Sequence, residues 1–188
     1  MNLNTAGSHY ALSRSTVGKK ADKHLDVFSS ELQESLQKNS PTPVTFYKNR
    51  KATHQGALLN KCWDLIAVSD GGNKAATEFK SITASSFGKH YSSRVEECLG
   101  VALDARTTGD PIWLGYIFFY ETSAGVGQEK NNKQIQKATN FIESITKRHK
   151  MYNYSILITI DEEGNMREVY GSISDYIKNK KQYLEKMK

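Results

Sequence analysis

Residues 62–81 have the sequence CWDLIAVSDGGNKAATEFKS, in which two apolar stretches flank a short polar segment rich in glycine. This pattern predicts a β-hairpin with strands over Cys62–Ser69 and Ala75–Ser81, joined by a tight turn. Glu78 and Lys80 stand two positions apart on the second strand, so both side chains project from the same face. The hairpin is therefore expected to present a carboxylate and an ammonium group side by side.

Asp64, near the start of the first strand, joins this pair only in one register of the hairpin. A three-residue loop places Asp64 directly across from Glu78 or Lys80. A two-residue Gly71-Gly72 loop shifts the pairing by one residue and turns Asp64 to the opposite face. A site built from all three side chains therefore requires the longer turn or a β-bulge, which glycine often permits.

The residue types of this trio are typical of a metal-dependent phosphodiesterase. Mg²⁺ is commonly held by one or two carboxylates with waters and phosphate oxygens, and Asp64 and Glu78 would supply the carboxylates. Lys80 would position the attacking water and stabilise developing negative charge. Proton acceptance by Lys80 is left open, because a nearby cation lowers a lysine pKa and carboxylates raise it. The alternative is an ordinary strand-end Glu/Lys pair in solvent, since a D…ExK pattern also arises by chance.

The rest of the chain predicts an α/β fold in which helices cover a central sheet. The predicted helices are Lys19–Lys38, Arg94–Arg106, Glu129–Lys147 and Ser174–Met187. The further predicted strands are Val44–Tyr47, Ile112–Tyr120, Tyr154–Asp161 and Met166–Tyr170. A capping box of Ser93 and Glu96 predicts the start of the second helix at Arg94. We interpret residues 1–188 as a single domain, with residues 1–16 as a flexible arm.

Positive charge is concentrated around the hairpin. Residues 35–95 contain nine Lys or Arg and three acids, whereas the rest of the chain has 17 of each, so the net charge of +6 arises in this segment. A basic surface around a few acids suits a metal site that acts on a polyanion such as DNA. The alternative is that scattered lysines only keep the protein soluble.

The cysteines and the apolar segments limit the class of protein. Cys62 and Cys98 lie in apolar patterns and are expected to be reduced and buried, with no zinc site. The N-terminus lacks the pattern of a signal peptide, and the longest apolar run, Ile112–Tyr120, is too short to span a bilayer. We therefore expect a soluble, cytoplasmic protein.

Several polar residues around the hairpin are candidates for accessory roles. Arg94 at the predicted helix start is a candidate phosphate ligand, with a surface pair to Glu97 as the alternative. Glu97 and Glu31 are candidate accessory acids; the alternatives are an acid that suits a helix N-terminus for Glu97 and a solvated helix face for Glu31. Lysines of the last helix, including Lys180, either contact phosphates or are solvated. The further candidate DNA-binding residues are Arg50, Lys51, Lys61, Ser85, Lys89 and His90.

The combined pattern resembles the XhoI family of type II restriction endonucleases, within the PD-(D/E)xK nuclease superfamily. The segments that carry the resemblance are Lys61–Val68, Ala75–Ser81, Ser86–Gly88, Arg94–Gly100, Ala102–Asp104 and, more weakly, Trp113–Tyr116. The resemblance implies a restriction-endonuclease-like αβββαβ core with a mixed central sheet, followed here by extra C-terminal α/β elements. It also implies Mg²⁺-dependent cleavage of double-stranded DNA at a short palindromic site, with Asp64, Glu78 and Lys80 as the catalytic residues.

The sequence therefore predicts a homodimeric type II restriction endonuclease, because a two-fold protein matches a two-fold DNA site. Two alternatives remain. One is a repair or junction-resolving nuclease on the same core, and the other is a DNA-binding module without catalysis.

Overall fold

The computed structural model describes residues 25–38, 43–48, 53–55, 58, 60–109 and 111–186, with Ala6, Ser8 and Tyr10. Helices lie at α1 (Asp26–Gln37), α2 (Phe87–Thr107), α3 (Gln128–Glu143) and α4 (Ile173–Glu185). Strands lie at β1 (Val44–Lys48), β2 (Thr53–Gln55), β3 (Asn60–Cys62), β4 (Leu65–Ser69), β5 (Lys74–Thr83), β6 (Ile112–Glu121), β7 (Tyr154–Ile160) and β8 (Met166–Tyr170). A short 3₁₀ turn (Ala124–Val126) precedes α3, and a π-helical turn (Ser144–Arg148) follows it.

The central sheet has six strands in the order β1-β4-β5-β6-β7-β8, and β2 and β3 form a separate small hairpin. Strands β5, β6 and β7 are parallel, while β1 and β4 on one side and β8 on the other pair antiparallel. This arrangement confirms the predicted α/β class with a mixed sheet, an αβββαβ core and added C-terminal elements.

Helices cover both faces of the sheet, which explains the uninterrupted apolar run of β6: its residues are buried from Ile112 to Tyr120. We call the face of β5 that bears Ala76 and Glu78 the front face, and α2 and α3 pack over it. The opposite face, which bears Ala75 and Phe79, is the back face, and α1 and α4 pack there.

The β4–β5 hairpin has the three-residue loop that the site hypothesis requires. Leu65 pairs with Thr77, and the pairing continues to Val68 with Lys74. The Ser69 N–H donates to the Asn73 carbonyl at 3.0 Å, and Gly72 closes the turn with a φ of +80°. Only glycine adopts this left-handed conformation at little cost. The same register places Asp64 directly opposite Glu78, on the front face.

The helix that follows the hairpin begins earlier than predicted. It starts at Phe87 rather than Arg94, so the predicted capping box of Ser93 and Glu96 is wrong and these residues lie within α2. The cause is the apolar stripe, which extends upstream: Phe87 and Tyr91 are buried and stack with their ring centroids 4.5 Å apart.

The first predicted strand is also interrupted. Cys62 ends β3, the chain bends at Asp64, and β4 begins only at Leu65. Cys98 is buried as expected, but the prediction of a buried Cys62 is wrong, because its side chain is exposed beyond the end of the sheet. Ala6 and Tyr10 are buried against the back-face core and Ser8 is exposed, while the other residues of the predicted arm lie outside the described residues. In the described part of the chain, no helix combines the length and apolarity needed to cross a membrane.

Candidate active site

Asp64, Glu78 and Lys80 come together on the front face, beside the start of β4 and the middle of β5. Glu78 is 2% exposed in the middle of β5, and Lys80 follows on the same face. The bend before β4 brings Asp64 against this strand, where its Oδ2 accepts a hydrogen bond from the Phe79 backbone N–H at 2.7 Å. The hairpin therefore assembles both carboxylates and the lysine from residues that are close in sequence.

Ion pairs link this trio to α2 and to the β2–β3 hairpin. Lys80 Nζ lies 2.7 Å from Glu78 Oε1 and 2.7 Å from Glu97 Oε1. Lys61 Nζ approaches Glu78 Oε1 at 3.1 Å from the other side. Arg94 Nη1 contacts Glu97 Oε2 at 3.1 Å, so the surface pair considered for Arg94 does form. Alternating charges thus run across the site from Lys61 to Arg94.

Burial and charge shift the ionisation of three of these groups. Burial, and then the neighbouring Glu78 carboxylate, raise the pKa of Asp64 to about 6. Burial alone would lower the pKa of Lys80, but Glu78 and Glu97 more than offset it and raise that pKa above its ordinary value. Burial likewise opposes ionisation of Glu97, yet Lys80 and Arg94 hold its pKa below the usual range.

Comparison with known proteins shows the family of the chain. Residues 4–157, most of the chain, match the family model described as restriction endonuclease XhoI. The chain belongs to the XhoI restriction endonuclease family. It is also 45% identical over 56 residues to the type II restriction enzyme AbrI of Azospirillum brasilense, a match that covers 30% of this chain. The chain matches only 22% of the length of that relative.

The XhoI-family match covers every element of the candidate site. It includes β4, β5 and α2, and it ends within β7 at residue 157. Strand β8 and helix α4 therefore lie beyond the matched range, although both pack onto the same sheet.

The carboxylates of the site fit a divalent cation. Glu78 Oε2 is buried and has no hydrogen-bond partner among the described residues, which is costly for a carboxylate oxygen unless a cation or water meets it. Asp64 uses only Oδ2 in its hydrogen bond to Phe79. Within the described residues, no three Asp, Glu, His or Cys side chains group as a metal cluster. Two carboxylates suit Mg²⁺, which keeps several waters and takes substrate oxygens as further ligands.

The other predicted site residues are more dispersed. Ser85 lies in the turn between β5 and α2, whereas Lys89 and His90 are exposed at the start of α2 instead of in the predicted loop. Glu31 lies on α1, which packs against the back face, and it makes no hydrogen bond or ion pair with Asp64, Glu78 or Lys80. Arg50 and Lys51 lie outside the described residues.

Sequence reasoning assigned Lys61 to DNA binding and missed its contact with Glu78. The contact depends on the β2–β3 hairpin, which carries Lys61 back to the site and which the apolar pattern does not reveal. The weak signal available was position: Lys61 stands three residues before Asp64 in a mainly apolar segment that leads to β4.

Proposed function

We propose that this chain is a Mg²⁺-dependent type II restriction endonuclease that hydrolyses phosphodiester bonds of double-stranded DNA at a short palindromic site. The observation that carries the proposal is the convergence of Asp64, Glu78 and Lys80 at the end of a hairpin in a chain of the XhoI family. The proposal includes a homodimer, because a palindrome presents two equivalent strands, and action in the cytoplasm.

The two carboxylates divide the task of holding the cation. Glu78 offers the buried Oε2, and Asp64 offers the oxygen that is not bonded to Phe79. Bound Mg²⁺ would neutralise charge on the scissile phosphate and lower the pKa of a water. The hydrogen bond from Phe79 fixes the Asp64 carboxylate relative to β5, so the two ligands keep their relative position without substrate.

Lys80 acts as a charged donor in this proposal. The carboxylates of Glu78 and Glu97 favour its protonated form, so it is suited to donate hydrogen bonds to the phosphate or to the attacking water. Glu97 holds Lys80 from α2, and Arg94 in turn holds Glu97. Both acids therefore orient the lysine, which gives Glu97 an accessory role.

The DNA-binding surface follows from the basic residues that surround this site. Arg94 is half-buried beside Glu97, and Lys89 and His90 are exposed two turns or less before it on α2. With Lys61 and Ser85, they are the residues that we propose contact phosphates on either side of the cut bond. Such contacts would make binding strongly dependent on salt concentration.

One experiment tests the proposal against its rivals. The protein is incubated with mixed plasmid DNA and Mg²⁺, and the ends of the products are sequenced. Discrete ends at one palindrome support a restriction endonuclease, and cleavage confined to branched DNA supports a repair or junction-resolving enzyme. Salt-sensitive binding without cleavage supports a non-catalytic module.

A variant pair links any cleavage to this site. Glu78→Ala is expected to abolish cleavage and to leave DNA binding largely intact, because it removes a cation ligand but no surface charge. Glu96→Ala is the matched control, since Glu96 is exposed on α2 next to Glu97 but contributes to none of the ion pairs of the site. Full activity of Glu78→Ala in the same assay would contradict the site assignment.

A further inference from the structure

A second polar cluster lies on the back face of β5, directly behind the candidate active site. Lys180 of α4 is 0% exposed, and its Nζ donates a hydrogen bond to Thr77 Oγ1 at 2.8 Å. Thr77 Oγ1 also lies 2.6 Å from the hydroxyl of Tyr176, which is buried on the same helix. We call Thr77, Tyr176 and Lys180 the back-face cluster.

The sheet is shaped to admit this cluster. A Cβ at Gly115 of β6 would clash with the Tyr176 hydroxyl oxygen, so any larger residue would displace the tyrosine. The Trp113 ring packs edge-on against the Tyr176 ring, with centroids 5.1 Å apart. Lys180 Nζ lies 5.8 Å from the centroid of the Trp113 ring. The cluster therefore fills a defined space between α4 and the sheet.

A buried lysine is an expensive way to fill that space. Among the described residues, no carboxylate forms an ion pair with Lys180, and a buried ammonium without such a partner opposes folding. A methionine of similar length would fill the same volume without this cost. The distinct contribution of Lys180 is thus its hydrogen bond to Thr77.

Thr77 occupies a critical place on β5. It is the last residue of β5 that pairs with β4 in the described structure, opposite Leu65. From Glu78 to Thr83 the strand pairs only with β6, so Glu78 begins the part that lacks its antiparallel neighbour. Consecutive residues face opposite sides of a sheet, and a restraint on Thr77 from behind therefore fixes the direction of the Glu78 side chain in front.

We propose that Tyr176 and Lys180 of α4 are positioning residues, which act through Thr77 to hold Glu78 in the orientation that the cation site requires. The inference rests on the proposed nuclease function. Helix α4 lies beyond residues 4–157, so this support comes from outside the part of the chain that matches the XhoI family. On the front face, Lys61 and Lys80 both contact Oε1 of Glu78, at 3.1 Å and 2.7 Å, and the back-face cluster would add support from behind the strand.

The test compares conservative variants of the cluster in the full chain. Tyr176→Phe and Lys180→Met are expected to lower kcat at saturating DNA roughly tenfold, the effect typical of groups that support a metal ligand, with KM for DNA unchanged. Their Mg²⁺ affinity, measured calorimetrically without DNA, is expected to fall as well. Thr77→Val should behave likewise, and Thr77→Ser should retain activity because it keeps the hydroxyl.

Tyr183→Phe is the matched control. Tyr183 lies on α4 and its hydroxyl has no hydrogen-bond partner among the described residues, so its loss is expected to leave kcat unchanged. The inference is overturned if Tyr176→Phe and Lys180→Met match this control in kcat and Mg²⁺ affinity. It is also overturned if kcat falls only in step with the fraction of folded protein. A wild-type chain that does not cleave DNA overturns the proposed function and this inference together.

Discussion

Lys80 and Lys180 lie on opposite faces of the same strand and differ in how their charge is accommodated. Lys80 lies 2.7 Å from carboxylate oxygens of Glu78 and Glu97, and these acids raise its pKa despite burial. Among the described residues, Lys180 Nζ donates its one hydrogen bond to the neutral Thr77 hydroxyl at 2.8 Å, and burial lowers its pKa to about 7. Burial opposes both ammonium groups, and only the front face supplies the opposite charge that compensates for it.

This difference indicates two separate tasks for the two faces of β5. The front face holds charges that a cation, a water or a phosphate can engage, because its ion pairs reach solvent through Glu97 and Arg94. The back-face cluster is buried and bonded mainly through hydroxyl groups, which suits it to hold the strand in place. Front-face variants should therefore change the chemistry directly, whereas back-face variants should change both stability and the position of Glu78.

The largest effect is expected on kcat, from a variant on the front face. Lys80→Ala should lower kcat by about 10²–10³-fold, because it removes a charged donor from the site of developing negative charge. DNA binding measured with Ca²⁺ in place of Mg²⁺ should change little. Lys74→Ala is the control, since Lys74 lies on the same face at the start of β5 and away from the ion pairs. Equal kcat values for the two variants would remove Lys80 from the site.

The second-largest effect is expected on the free energy of unfolding, from a variant on the back face. Lys180→Met should raise the free energy of unfolding by roughly 1–3 kcal/mol below pH 7, because it removes a buried charge. Between the folded pKa of about 7 and the unfolded value of 10.5, the unfolded wild type retains a proton that the native state has released. Wild-type stability therefore rises with pH in this window.

The advantage of Lys180→Met should accordingly shrink as pH approaches 10. Urea unfolding of both proteins at pH 6, 8 and 9.5 measures the difference directly. Thr77, Tyr176 and Trp113 are the groups that contact Lys180 from β5, α4 and β6. None of these carries a charge at any of the three pH values, because burial raises the pKa of Tyr176 well above its ordinary value, so the difference reports on Lys180 itself. A constant difference across the three pH values would show that Lys180 keeps one protonation state.

The front face was largely predictable from sequence, and the back face was not. Asp64, Glu78 and Lys80 lie within one hairpin, so strand alternation and turn length suffice to place them together. The contacts of Thr77 with Tyr176 and Lys180 join residues 99 and 103 positions apart, and no local pattern contains them. Their prediction requires knowledge of which helix covers which face.

One signal for Lys180 was nonetheless present. Ile173, Tyr176, Lys180 and Leu184 recur at helical spacing, and all four are buried in α4. A lysine on an apolar stripe was interpreted as a phosphate contact or a solvated charge, and both interpretations are wrong because Lys180 is 0% exposed. The predicted start of α2 at Arg94 is too far along the chain for a related reason, since an apolar stripe is again overlooked. The capping pattern at Ser93 took precedence over the apolar residues Phe87 and Tyr91.

The smallest effect is expected on the stability of the metal-free protein and concerns Asp64, whose side chain is less completely buried than that of Lys180. Its folded pKa of about 6 exceeds the ordinary value of 3.8, so the free-energy cost of its buried charge appears as pH rises through this window and is full above pH 6. Asp64→Asn keeps an oxygen for the Phe79 N–H and should stabilise the metal-free protein by about 1–2 kcal/mol at pH 7.5. Unfolding in EDTA should show no difference near pH 4, and added Mg²⁺ should stabilise only the wild type. If Mg²⁺ stabilised both proteins equally, Asp64 would not be a ligand of the cation. The two faces of β5 would then still differ in charge, but Asp64 would give the front face no separate function in cation binding.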